Sequence, residues 1–192
     1  MALNDQNRFL DFSSIGMWWE ITRSTSDTAG ELFEAINVLA PGFAGPPLHI
    51  HPFAEESYEV LSGILDVCVG GQWRQLVPGQ SVTVAAGTTH TLRNTQAKEV
   101  KLVNVHKPAL AFERFFRRMN VLVAAGQLNL PPKDLQSLVL VSMLFVEHER
   151  EIRSAKPPHS LMRVIAFAGQ SRRRRFPGSL RSRNRVQGNG PD

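Results

Sequence analysis

The segment LHIHPFAEESYEVLSG, residues 48–63, sets His49 and His51 on either side of Ile50 and places Glu56 five residues beyond His51. Side chains alternate between the faces of an extended strand, so the two imidazoles share one face and Ile50 takes the other. The Pro52 to Glu55 stretch suits a turn into the next strand, which carries Glu56. A second segment, GQSVTVAAGTTHTLRN at residues 79–94, puts His90 directly after Gly87-Thr88-Thr89, with Asn94 four residues later. Brought together, His49, His51, His90 and Glu56 would offer three imidazoles and one carboxylate. That nitrogen and oxygen donor set suits one divalent transition metal ion: Fe, Mn, Ni, Cu, Co or Zn. In an octahedral field it leaves two positions for substrate, water or dioxygen.

Around these segments, from Ile15 to Val105, short β-branched and aromatic runs alternate with turn residues, the pattern of an all-β barrel or sandwich. The expected strands are Trp18–Thr22, Glu31–Leu39, Leu48–His51, Tyr58–Leu61, Ile64–Val69, Trp73–Leu76, Ser81–Val84 and Thr89–Arg93. Turns fall at Pro41-Gly42, Gly45-Pro46-Pro47, Ser62-Gly63, Gly70-Gly71, Pro78-Gly79 and Ala86-Gly87. At about Pro108 the period changes. Phe112, Phe115, Phe116, Met119, Leu122 and Val123 define one face of an amphipathic helix that ends at Gly126, with Glu113 placed to pair with Arg117 one turn on. Pro131 and Pro132 open a second helix to about Ser154, and Pro157-Pro158 introduce a third from about Ser160 to Ala168. The second helix is apolar on nearly every side between Leu138 and Val146, so it needs neighbours on two sides, from its own chain or a partner subunit. The expected division is a β-barrel at 1–107, a helical extension at 108–170 packed on the barrel or on a partner, and a basic disordered tail at 171–192.

The chain has 192 residues, 42% hydrophobic and 20% charged, enough for one domain with a core of its own. Cys68 is the single cysteine, which excludes an intrachain disulfide framework and favours a reducing compartment. Cys68 itself reads as a small barrel residue. The polar N-terminus lacks the apolar core of a signal peptide and Leu138–Val146 is too short to span a bilayer, so a soluble cytoplasmic protein is expected. The net charge of +5 comes from the tail, where seven arginines face one acid, Asp192. Residues 1–170 are close to neutral. Arg172 to Arg175 could contact nucleic acid or an anionic membrane. Without interleaved aromatics, a solubilising extension is the better reading.

The spacing His49-x-His51-x4-Glu56-x6-Gly63 resembles the first cupin motif, and Gly79-x5-Ala85-x-Gly87-x2-His90-x3-Asn94 resembles the second. Ala85 stands where the second motif usually has proline, and Phe43 where the first usually begins with glycine; every ligand-type position matches. The resemblance covers roughly residues 35–105. It implies a mainly β fold, a double-stranded β-helix or jelly roll, with metal held in the barrel mouth by His49, His51, Glu56 and His90. The family holds dioxygenases, isomerases, decarboxylases, storage proteins and sugar-binding regulatory domains, so the fold alone does not name an activity.

Glu55 competes with Glu56 for the carboxylate position, and the spacing to Gly63 favours Glu56. Asn94 reads as structural, its amide closing a backbone turn. His106 lies beyond the second motif and reads as uninvolved. His148, among Glu147, Glu149, Arg150 and Glu151, reads as part of a solvated charged face. Strand parity puts Tyr58 and Val60 on the face of Glu56, and Leu92 on that of His90, while Phe43 and Phe53 flank the ligand strand. These five residues are the expected pocket wall. No arginine or lysine between Leu39 and His106 shares a ligand's face on its own strand, so an apolar or aromatic organic substrate fits better than a phosphosugar. The leading expectation is a dioxygenase similar to the quercetinase-like cupins, with Glu56 moving between metal ligand and base. The alternatives are a Lewis-acid isomerase or decarboxylase, and a non-catalytic small-molecule binding module. Consecutive Trp18 and Trp19 point to opposite faces of an expected edge strand, one of them outward, and with the apolar second helix they lead us to expect a homodimer.

Overall fold

The computed structural model describes residues 8–175. Within them the chain forms β1 (Phe9–Phe12), a 3-10 turn (Ser13–Ile15), β2 (Met17–Arg23), β3 (Phe33–Leu39), β4 (His49–Ile50), β5 (Glu55–Ser62), β6 (Leu65–Val69), β7 (Gln72–Leu76), β8 (Ser81–Val84), β9 (His90–Arg93) and β10 (Val100–Lys107). Then follow α1 (Phe112–Ala124), α2 (Leu135–Glu147), β11 (Arg153–Ser154) and α3 (His159–Arg175). A six-stranded sheet has the order β1-β2-β3-β10-β5-β8, and a five-stranded sheet the order β11-β4-β9-β6-β7. From β3 to β10 the chain passes repeatedly between the two sheets, and inward side chains of both, Val60 and Leu102 from one, Val67 and Leu92 from the other, meet in a single core. This is the double-stranded β-helix architecture.

The alternation that makes a half-buried strand is plainest in β3 and β10. Phe33, Ala35, Asn37 and Leu39 point inward from β3, and Val100, Leu102, Asn104 and His106 from β10. Two turns depend on glycine. Gly45 and Gly63 both have positive φ, and a Cβ would strike the Leu92 carbonyl oxygen at Gly45 and that of Glu99 at Gly63. Asn94 closes the β9–β10 connection as expected: its Nδ2 donates to the carbonyls of Leu39, Ala40 and Lys98, and its Oδ1 accepts from the Gln96 N–H.

Several boundaries differ from the sequence reading. β1 was not expected; it pairs with β2 with Leu10 opposite Trp19, so β1 and not the tryptophan strand is the sheet edge. Trp19 is 6% exposed and Trp18 is 42% exposed, so Trp18 is the outward member of the pair. α2 starts at Leu135, where the Asp134 carboxylate caps the Ser137 N–H, and stops at Glu147 instead of about Ser154. Beyond it the chain leaves the helix because residues 153–154 pair with β4. Between Leu138 and Val146 the surface of α2 is buried or partly buried by its own chain: Phe145 meets Phe115 of α1, Ser142 meets Met162 of α3, and Gly169 gives room for Val139. α3 is longer than the expected Ser160–Ala168 and runs past residue 170, since arginine is a good helix former. Residues 176–192, the rest of the expected tail, lie outside the described residues. Within the described residues no helix is long and apolar enough to cross a membrane.

Candidate metal centre

Strand pairing brings the two histidine segments together. His49 on β4 stands opposite His90 on β9, and Glu56 on β5 stands opposite His106 on β10. The Gly87 N–H donates to the His51 carbonyl, which ties the turn before His90 to the end of β4. His49, His51, Glu56 and His90 are all buried, and one candidate ligand atom from each lies within 4.8 Å of the others. Glu55 is exposed, so the carboxylate facing inward is that of Glu56.

Each histidine is fixed through its Nδ1. That atom lies 2.8 Å from the Pro47 carbonyl in His49, 2.6 Å from the Glu151 carbonyl in His51 and 2.8 Å from the Thr88 carbonyl in His90. A carbonyl only accepts, so every Nδ1 is the protonated nitrogen and Nε2 carries the lone pair. Yet the Nε2 atoms of His51 and His90 lie 3.0 and 2.7 Å from Glu56 Oε2. Acceptors crowded against a carboxylate need a cation among them, either an added proton or a metal. Carbonyl-oriented imidazoles of one tautomer, with an inward carboxylate, are what a divalent ion requires of its ligands and of the groups behind them. The residues present therefore fit a metal ion.

The electrostatics follow from burial and neighbours. Burial pushes the Glu56 carboxyl up, but the His106 and His51 imidazoles outweigh it and hold the group well below the usual carboxylate range. Burial first, then the His90 and His51 imidazoles, hold His49 well below 6.5. Burial also lowers His106 despite Glu56. For His90 burial is outweighed by Glu56, and its pKa is raised. Burial, then Glu56, push the Tyr58 phenol well up. Histidines with lowered folded pKa bind fewer protons folded than unfolded, so their stability contribution is present above the unfolded value and is lost as pH falls. His49 and His106 act in this sense, Glu56 does so at lower pH, and His90 opposes them. The metal-free chain is therefore expected to lose melting temperature on acidification from about pH 7 to 5, and zinc, which binds only the deprotonated ligands, should raise the melting temperature more at pH 7 than at pH 5 and so steepen the loss. Thermal unfolding across that range, with and without zinc, checks it.

Two neighbours of Glu56 escaped the sequence reading. Asn104 Nδ2 donates to Glu56 Oε1 at 2.7 Å, and His106, fully buried and not the bystander expected, has Nε2 3.2 Å from the same oxygen. The alternation of Leu102, Asn104 and His106 along β10 is the signal that places both on the inner face. His148 is also corrected: it is fully buried, edge-on to Phe115, with Nδ1 3.6 Å from Glu151 Oε2, because the chain after α2 folds back towards β4.

A cavity of about 100 Å³ opens beside the cluster. Of the expected wall, Phe43, Tyr58 and Leu92 line it. Val60 does not, because it lies one inward position further along β5 and is packed into the core. Phe53 does not either: it is 53% exposed, and the Arg150 guanidinium lies over its ring. The remainder of the wall was not expected, with Phe115, Phe116 and Met119 from α1 and Phe145 from α2 covering the barrel mouth.

Residues 35–106 match the family model described as a cupin domain. Over 79 residues the chain is 35% identical to quercetin 2,3-dioxygenase of Bacillus subtilis (strain 168), a match that takes in 40% of this chain and spans 23% of the length of that relative. Among solved structures, a protein of Thermus thermophilus is 25% identical with a TM-score of 0.47, over 57% of this chain and 99% of that one. KdgF from Halomonas sp. is 18% identical with a TM-score of 0.48, over 58% and 94%.

Proposed function

We propose, from the match of residues 35–106 to the cupin domain model, that this protein is a metal-dependent dioxygenase acting on a compact, apolar, enolisable or aromatic organic molecule. The observation that carries the reading is the set of three imidazoles, each with Nδ1 committed to a carbonyl, turned with the Glu56 carboxylate towards one point beside an apolar cavity. The 35% identity over 79 residues to a quercetin dioxygenase supports oxygen chemistry over the alternatives. The cavity is small beside the roughly 300–1,000 Å³ of pockets for drug-sized ligands, which favours a substrate more compact than a flavonol.

His49, His51, His90 and Glu56 would hold one divalent ion, which would polarise an enol or phenol oxygen of the substrate and give dioxygen access to it. The chain's own residues prepare the proton transfer. Glu56, kept anionic by its imidazole neighbours, is the base, and its low pKa suits it to an already acidic enol or phenol proton. Asn104 donates to Oε1 and so fixes the carboxylate with Oε2 turned towards the His51 and His90 Nε2 atoms. Tyr58, its phenol held protonated, remains a donor in the wall. Phe115, Phe116, Met119 and Phe145 keep water from the reacting carbon.

The test is elemental analysis of protein purified without chelator, followed by oxygen-electrode screening with flavonols, β-diketones and catechols. A stoichiometric divalent metal and oxygen uptake with one of these classes are expected. Turnover without oxygen uptake would replace this reading by Lewis-acid isomerase or decarboxylase chemistry. A ligand that binds tightly and leaves unchanged would replace it by a binding module.

A further inference from the structure

Away from the histidine cluster, the cavity wall contains a polar feature that the proposed chemistry does not use. Trp19 on β2 and Asn37 on β3 are direct register partners, both line the cavity, and they are 6% and 3% exposed. Trp19 Nε1 and Asn37 Oδ1 are both buried without a hydrogen-bond partner. Residues opposite each other on antiparallel strands hold their Cβ atoms roughly 4.5–5.5 Å apart, so the side chains that carry this donor and this acceptor leave the sheet side by side into the same cavity. A third such atom, Asn104 Oδ1, sits on the residue that bonds Glu56. Asn104 stands opposite Ala35, one inward position from Asn37 along β3. The orphaned polar atoms thus follow one face of β3 and β10 from the Trp19–Asn37 pair towards the base.

Buried polar groups are rarely left unpaired, and here they interrupt a wall otherwise built of Met17, Leu39, Phe115, Phe116 and Met119. Tryptophan is a donor only, and the Asn37 oxygen an acceptor. One hydroxyl group satisfies both, accepting from the indole N–H and donating to the amide oxygen. Among the described residues that line the cavity there is no lysine or arginine, so apart from the metal-directed histidines no side chain there compensates a carboxylate or phosphate. We propose that Trp19 and Asn37 are a second anchor of the substrate cavity, selecting an uncharged substrate that carries a hydroxyl apart from its metal-directed oxygen. The proposal rests on the reading of the cavity as a substrate site of a metal-dependent enzyme.

The full chain loaded with Zn²⁺, which supports no dioxygen chemistry, is titrated with three β-diketones on one frame: pentane-2,4-dione, 1-hydroxypentane-2,4-dione and 2,4-dioxopentanoate. The hydroxyl compound is expected to bind at least about tenfold more tightly than the other two, as a second satisfied hydrogen-bond pair implies. It alone should move the Trp19 indole N–H resonance downfield, assigned by its loss in Trp19→Phe. In Asn37→Leu the tenfold preference should vanish while zinc content stays at one per chain. Equal binding of the three compounds, or an unchanged preference in both variants, would overturn the anchor and leave the metal site standing; it is also the result expected if the pair serves only a bound water. Failure to take up zinc would remove the metal reading instead, and the indole resonance of the metal-free chain would still decide the anchor: no shift with the hydroxyl compound overturns it.

Discussion

His49→Ala and His90→Ala are each expected to reduce metal content from one ion per chain to below about a tenth, because ligand loss must exceed the 10–100-fold typical of losing only a group behind a ligand. The two residues sit opposite each other on β4 and β9, buried, with Nδ1 tied to the carbonyls of Pro47 and Thr88. Alanine at either position removes an Nε2 and leaves a carbonyl without its partner. A second readout separates loss of metal from loss of fold. A ligand present at 100 times its dissociation constant stabilises the native state by about 2.7 kcal/mol. Added metal should therefore raise the melting temperature of the native chain and leave that of either variant almost unmoved. Full metal content in both variants would remove the proposed site.

The contrast between what could and could not be read from the sequence has a physical basis. Strand parity is local, so the shared face of His49 and His51, the inward direction of Glu56, Tyr58 and Leu92, and the structural role of Asn94 all follow from neighbours a few residues apart. The amphipathic face of α1 is equally local, and its observed span, Phe112–Ala124, lies close to the expected one. His106 and Asn104 were legible in principle by the same alternation along β10, but they lie beyond the spacing pattern that drew attention to the candidate ligands. Other features depend on partners distant in sequence. Nothing near residue 151 announces that its carbonyl bonds an imidazole 100 residues earlier. Nothing near residue 148 announces that a histidine among four charged neighbours is buried. The end of α2 at Glu147 has the same origin: helical propensity would continue the helix, but pairing of β11 with β4 takes the chain out of it.

That long-range pairing makes a strong demand on the helical extension. All four candidate ligands lie between residues 49 and 90, yet β4 is flanked by β9 on one side and β11 on the other, with Ala155 N–H donating to the Leu48 carbonyl. The Glu151 carbonyl fixes the tautomer and orientation of His51, and the Glu151 carboxylate accepts from the Ala111 N–H at the start of α1. Removal of residues 131–192 is accordingly expected to lose metal as completely as removal of a ligand, although no ligand is deleted, because β4 loses a flanking strand and His51 its hydrogen bond. It also exposes Phe115 and the cavity wall, so the shortened chain should be prone to aggregate. Glu151→Ala gives the finer test in an otherwise intact protein. Freed from Ala111, the loop holds His51 less firmly, and metal affinity should fall by about tenfold, within the range for groups behind a ligand. Deleting only residues 176–192 should leave affinity unchanged. Metal titration by calorimetry on the three forms checks the order. Tight binding by the chain shortened at residue 130 would show that the barrel holds the ion without its helical extension.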